Sequence, residues 1–157
     1  MKIFKHDDKV CQDEEQIMHR IENELRINGD IDHLNIPRIF GANCADNNAI
    51  LMEYVEATDI SRTILTDQQA IVLLKEIGDI IIRLAGIGIG HFDINLGNIL
   101  EDINGNYWLI DYGFAVSLPP NKIMNAVNDM RLPIIGCFAF MAPQTVMLND
   151  AIYDVQI

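Results

Sequence analysis

Three side chains in the stretch HFDINLGNILEDINGNYWLIDYGFA, His91–Ala115, could do chemistry together: Asp93, Asn98 and Asp111. Asp93 and Asn98 precede a short apolar run, Ile99–Glu101. Asp111 follows a second run, Tyr107–Ile110, and Asn104-Gly105-Asn106 lies between the two. Two such runs closed by an Asn-Gly turn predict a β-hairpin. A tight hairpin brings its open ends together, so the three side chains should converge. Asn98 and Asp111 offer the hard oxygen ligands that Mg²⁺ takes alongside phosphate oxygens. Asp93, not needed as a ligand, could orient a hydroxyl and accept its proton. The plainer alternative is that Asp and Asn are simply turn residues.

The surrounding elements must hold that mouth. A short strand is predicted at Ile3–Phe4. Ile17, Ile21 and Leu25, with Met18, then form the stripe of an amphipathic helix over Asp13–Ile27. The acidic run Asp13-Glu14-Glu15 suits a helix N-terminus, and Gly29 a helix end. Strands are predicted near Pro37–Phe40 and over Ala49–Val55, with Gly41-Ala42-Asn43 as a turn. A long helix follows over Asp67–Ala85, capped by Thr66 or Asp67. Residues 112–143, with four prolines, predict a long irregular loop, usually a functional feature.

Composition bounds the rest. The chain has 157 residues, half of them apolar and 22% charged, with a net charge of −12. That is a globular mix at single-domain length, not a disordered tail, a collagen or a coiled coil. The deficit of positive charge argues against nucleic acid or an anionic membrane as main partner. Cys11, Cys44 and Cys137 are scattered, which predicts neither a disulfide framework nor a zinc site and points to a reducing, cytoplasmic setting. The opening MKIFKHDDKV has no apolar stretch of the length expected of a signal peptide. Lys75, Glu76, Asp79 and Arg83 interrupt the most apolar window, Ala70–Gly90, which suits a buried helix rather than a membrane span.

HFDINLGN followed by DYG resembles the catalytic and magnesium loops of protein kinases, whose pattern is H-R-D-L-x-x-x-N and then D-F-G. Three more blocks in the same order are similar to that family. GCFAFMAPQ, Gly136–Gln144, resembles the end of an activation segment. AILMEYVEATD, Ala49–Asp59, resembles strand five and the adenine-holding hinge. NELRINGDIDHLNIPRIFG, Asn23–Gly41, resembles the end of helix C and strand four. The resemblance implies an α+β, kinase-like fold: a small-lobe remnant from strand three and helix C over residues 1–55, and the first half of a helical large lobe over 56–157. It implies binding of ATP and Mg²⁺ and phosphoryl transfer to a protein Ser or Thr. Asp93 would be the catalytic carboxylate, with Asn95 beside it. Asn98 and Asp111 would hold the metal, and Lys5, positioned by Glu24, the α- and β-phosphates. Backbone groups of Glu53 and Val55 would pair with adenine behind Met52, with Leu100 beneath the ring and Asp59 at the hinge's end.

The chain also departs from that pattern. No glycine-rich loop precedes Lys5, and the helices after the activation segment are missing, so apolar surface is expected to be left for a partner kinase, a dimer or further chain to cover. Phe92 replaces the arginine before the catalytic aspartate. Ser117 is the only hydroxyl residue of Ser or Thr type between Asp111 and Pro143, so no phosphorylation switch is expected there. Asn95 replaces a lysine, Cys137 a threonine and Gln144 a glutamate. Asn28, four after Glu24, is polar where the family stacks an apolar side chain beneath Tyr112 and His91. The alternatives left open are a truncated pseudokinase acting as a binding or competing module, a gene fragment, and a small-molecule kinase.

Overall fold

The computed structural model describes residues 2–3, 8–26, 34–43 and 49–117. Strand β1, Lys2–Ile3, is followed by helix α1, Asp8–Ile21, which runs on into a π-helical stretch, Glu22–Arg26. Strands β2, Ile39–Asn43, and β3, Ala49–Met52, complete an antiparallel sheet of order β1-β3-β2. Cys11, Met18 and Ile21 of α1 and Leu25 of the π-helical stretch join Ile39 and Ile50 of the sheet in the core. β1 is held at the sheet's edge by Lys2 opposite Ile50 and Ile3 opposite Ala49.

Helix α2, Asp67–Gly86, anchors the second half. Thr66 caps it in a reciprocal box: Gln69 N–H donates to Thr66 Oγ1 at 3.3 Å, and Thr66 N–H to Gln69 Oε1 at 3.0 Å. Leu73, Ile77, Ile80 and Leu84 recur at helical spacing and are buried. Its outer face leaves Ile71, Leu74 and Ile82 exposed. No helix among the described residues is long and apolar enough to cross a membrane.

On α2 lies a second antiparallel sheet of order β4-β6-β7: β4, Ala57–Asp59; β6, Ile99–Asp102; β7, Tyr107–Leu109. β5, Ile89–Gly90, follows α2 in the chain and pairs with β8, Val116–Ser117. β6 and β7 are the expected hairpin, with Leu100 opposite Trp108. Gly105 takes φ +81°, a conformation glycine adopts without steric cost. The Asp102 carboxylate gathers the turn, accepting from Asn104 N at 2.8 Å, Asn106 N at 3.0 Å, Asn106 Nδ2 at 2.9 Å and Trp108 Nε1 at 3.2 Å. Glu76 of α2 accepts from Tyr107 N at 2.7 Å, fixing the hairpin to the helix.

Several local expectations are corrected. The first helix begins at Asp8, so Asp13-Glu14-Glu15 lies within it rather than at its start. Glu14 occupies a core position between Cys11 and Ile17, and a charge there interrupts the apolar stripe that the sequence shows. Gly41-Ala42-Asn43 is strand, not turn: pairing with β3 overrides local turn preference, with a register shift between Ile39 and Gly41. β3 stops at Met52, short of Val55. Cys11 is buried and disulfide-bonded, against the expectation that the scattered cysteines stay reduced, because sequence spacing says nothing of which cysteines meet in space. Phe4, Lys5, Asn28, Gly29, Cys137 and Gln144 lie outside the described residues.

Partial burial works against the charge on Asp102, but the donors of Asn106, Trp108 and Asn104 outweigh it and bring the carboxyl down to about 2. Its bonds therefore stabilise the fold fully above the unfolded value of 3.8 and lose that contribution as the pH falls through 3.8 towards about 2. Asp102→Ala should cost about 1–2 kcal/mol at neutral pH. In thermal melts, the gap in Tm between the two proteins should narrow on acidification across that window.

Candidate active site

The loop entering the hairpin is built from its own side chains. Asn95, extended at φ −150°, ψ 165°, caps a 3-10 turn over Leu96–Asn98. Its Oδ1 accepts from Gly97 N at 2.9 Å while its Nδ2 donates to Asp93 O at 3.2 Å. Asn98 Nδ2 donates to both Asp93 O and Asp93 Oδ2 at 2.8 Å. Asn98 O accepts from Ile110 N at 3.0 Å, which sets the residue before Asp111 against the same loop. The expected convergence of the hairpin's two ends is thus present. The amide nitrogen of Asn98 is committed to Asp93, which leaves its Oδ1 as the atom able to meet a cation.

Two non-glycine residues here adopt left-handed backbone: Phe92 at φ 61° and Asp111 at φ 63°. Such conformations cost on the order of 1 kcal/mol or more each and persist where neighbours over-determine them. For Phe92 the neighbour is Gly90, where an added Cβ would lie 2.4 Å from the ring. Between them His91 is buried, its Nε2 3.1 Å from Ile110 O and its Nδ1 accepting from Asp93 N at 3.3 Å. A carbonyl only accepts and an amide only donates, so the proton sits on Nε2 and the ring is neutral. Burial lowers the His91 pKa below its usual 6.5, against the opposing Ile110 bond and the nearby carboxylates. The Tyr112 ring meets it edge-on, with centroids 4.9 Å apart.

A cation bridges the small sheet to this mouth, and it is Lys2. Its Nζ donates to Glu14 Oε1 and Oε2 at 2.9 and 2.7 Å and to Asp111 Oδ1 at 2.7 Å. The Glu14 side chain is 1% exposed, that of Asp111 47%. Burial raises the Glu14 pKa, opposed by Lys2 and by the Tyr112 N–H that the carboxylate accepts. Burial also pushes against ionised Asp111, but the Lys2 bond and charge, with Gly113 N–H, outweigh it and lower its pKa. A Cβ on Gly113 would stand 3.3 Å from Asp111 Oδ1 and 3.4 Å from Glu14 Oε2, so the cluster closes over a bare backbone. Both donors to Asp111 use Oδ1, so Oδ2 is the oxygen that could meet a cation.

Lys2, Glu14 and Asp111 line one end of a cleft of about 350 Å³ whose walls include Met52, Glu53, Val55, Leu100 and Ile110. The expected hinge residues and the charged cluster therefore share one cavity. Glu53 N–H is spent on Arg38 O at 2.7 Å, so its carbonyl is the backbone group left for a ligand. Asp59 does not line the cleft; its carboxylate accepts from Ser61 N and Oγ at 2.7 and 2.9 Å, which lowers its pKa. Glu24 is bonded to Arg20, one helical turn earlier, and the glutamate facing the bridging lysine is Glu14. Lys5 lies outside the described residues, and Lys2 occupies the bridging place. One signal in the sequence favoured Glu14: four residues on stands Met18, buried in the core, where Asn28 follows Glu24.

Among the described residues no three His, Cys, Asp or Glu side chains group to hold a metal. The oxygens of Asn98 and Asp111 still suit Mg²⁺, which needs only one or two protein ligands when phosphates complete its shell. Lys2→Met strips Glu14 of its counter-charge and should destabilise the fold, while Glu14→Gln in the same chain removes the orphaned charge and recovers part of the loss. A double-mutant cycle by denaturant unfolding should show coupling of about 1–3 kcal/mol.

The chain resembles known proteins along the same lines. Serine/threonine-protein kinase CST20 of Candida albicans is 29% identical over 135 residues, 83% of this chain and 10% of that protein. Serine/threonine-protein kinase ste20 of Aspergillus fumigatus is 30% identical over 83% of this chain and 16% of its own length. Discoidin domain-containing receptor tyrosine kinase B of Caenorhabditis elegans is 30% identical over 80% of this chain and 16% of its own. The chain thus spans only a small part of the relatives it matches. The family model for the protein kinase domain covers residues 1–157, the cleft and the hairpin mouth included, and the chain belongs to that family.

Proposed function

We propose that this domain transfers the γ-phosphoryl group of ATP, with Mg²⁺, to a Ser or Thr hydroxyl of a protein. The observation that carries this is the Lys2 ammonium shared by Glu14 and Asp111 at the end of the cleft, with the Asp93–Asn98 pair at the same mouth. Two of the relatives reported above are serine/threonine kinases by name, which supports the choice of acceptor.

The residues divide the work as follows. Lys2, held by Glu14, meets the α- and β-phosphates. Met52, Leu100 and the backbone of Glu53 and Val55 enclose the base. Asn98 Oδ1 and Asp111 Oδ2 hold Mg²⁺, which when bound neutralises the phosphate charge. Asp93 orients the acceptor hydroxyl and takes its proton as the new oxygen–phosphorus bond forms and the bond to the β-phosphate oxygen breaks, releasing ADP. Its carboxylate is aimed by Asn98 Nδ2 at 2.8 Å. Positioning and charge carry such a reaction, with little covalent help from the protein.

Asn95 favours one other function, a nucleotide-binding module with little turnover. It stands where the family has a lysine, and its amide is committed to Asp93 O and Gly97 N, so it holds the loop but brings no positive charge to the transferring group.

With labelled ATP, Mg²⁺ and a general protein acceptor, Asp93→Asn should lower transfer about 10²–10⁴-fold while nucleotide affinity stays nearly unchanged. Chelation of the metal should abolish transfer. Equal incorporation by the two proteins would overturn the proposal. Nucleotide binding without transfer in either would support the binding module.

A further inference from the structure

Arg20 has no part in the family resemblance, yet it makes one of the most extensive sets of side-chain bonds in the described structure. Its Nε donates to Glu24, its Nη1 to Ser117 Oγ and its Nη2 to the Ile87 carbonyl. One planar guanidinium thereby joins α1, the π-helical stretch, the C-terminal cap of α2 and strand β8. Lysine, with a single ammonium on a flexible stem, cannot reproduce that fork.

The placement of these contacts matters more than their number. Glu14 and Arg20 are six residues apart on α1, about 9 Å along its axis and on different faces. Asp111 and Ser117 are likewise six residues apart on the segment that runs from the hairpin into β8. Lys2 ties Glu14 to Asp111 at one end, and Arg20 ties α1 to Ser117 at the other. The two segments are therefore pinned at two points, and α1 can neither slide nor turn about its axis without breaking one of them. β8 in turn pairs with β5, Gly90 opposite Val116, immediately before His91 and the Asp93 loop.

We infer that Arg20 is a positioning residue: by fastening α1 to Ser117 and to the end of α2, it sets the depth and rotation at which Glu14 meets Lys2, and through Lys2 the Asp111 carboxylate. Its catalytic consequence rests on the phosphoryl-transfer function proposed above; the structural coupling does not. Ser117 thus has an assigned partner in the helix, and its hydroxyl serves as the acceptor that closes the circuit.

Amide hydrogen exchange on the intact chain tests this at a distance from the substitution. The Tyr112 amide adjoins Gly113, where a Cβ would stand 3.4 Å from Glu14 Oε2, so its exchange reports whether α1 is seated against this segment. Arg20→Gln should speed Tyr112 exchange about tenfold, the loss expected from one charge-assisted bond. Ser117→Ala should act in the same direction and less strongly, and Arg20→Lys should fall between. Transfer activity should decline in the same order. Tyr112 exchange unchanged in both Arg20→Gln and Ser117→Ala would overturn the inference and show Arg20 to be a local surface tie. Should Arg20→Gln fail to fold, Ser117→Ala decides, since it removes only the hydroxyl. A wild-type chain without transfer would count against the proposed function alone, because the exchange result is read without turnover.

Discussion

A carboxylate buried to 1% exposure governs this structure. Glu14 sits in the face of α1 that otherwise packs Cys11, Ile17, Met18 and Ile21. An unpaired charge there would cost several kcal/mol, so the fold must bring it a cation. Among the described residues the element that does so is β1, two residues long, whose Lys2 is delivered by pairing with β3. Once Lys2 is in place its remaining bonding capacity reaches Asp111, and the small sheet becomes joined to the hairpin mouth through a single ammonium. Helix, sheet and hairpin are thus held in register by one charge balance.

The hairpin side of that balance is rigid for a different reason. Asp93, Asn95 and Asn98 satisfy one another and their own backbone, and His91 beneath them is locked into one tautomer by Ile110 O and Asp93 N. Left-handed backbone at Phe92 and Asp111 persists because packing on Gly90 and the bond from Lys2 hold each residue there. Phe92 replaces a charged residue of the family pattern with an aromatic brace. The loop's shape consequently depends on apolar packing where a typical relative has an arginine.

These two halves meet in a cleft of about 350 Å³ lined by apolar side chains such as Met52, Val55, Leu100 and Ile110 and by the charged Lys2, Glu14, Glu53 and Asp111. Such a lining combines apolar contact surface with a few charged groups. Electrostatics set the state of those groups. Burial opposes the ionisation of Asp111, but Lys2 keeps it charged, and the same lysine moderates the effect of burial on Glu14. Outside the cleft, α2 turns Ile71, Leu74 and Ile82 outward, so the helix that supports the site from below is apolar on two faces.

Local patterns in the sequence dictate the hairpin, the long helix with its Thr66 cap, and the adjacency of the Asp93–Asn98 loop to Ile110, the residue before Asp111. Each follows from local rules: an Asn-Gly turn between two short apolar runs, a capping box, and the fact that a hairpin's ends adjoin. The same rules misplaced the start of the first helix and made a turn of Gly41-Ala42-Asn43, which strand pairing claims. The family resemblance, for its part, implied Lys5 and Glu24, whereas Lys2 and Glu14 form the pair that the structure describes. A buried glutamate looks like a solvated one in a string of letters, and a lysine's partner lies across the molecule, 109 positions away in the case of Asp111. Only tertiary packing decides which charge is desolvated, and desolvation is what selects its counter-ion.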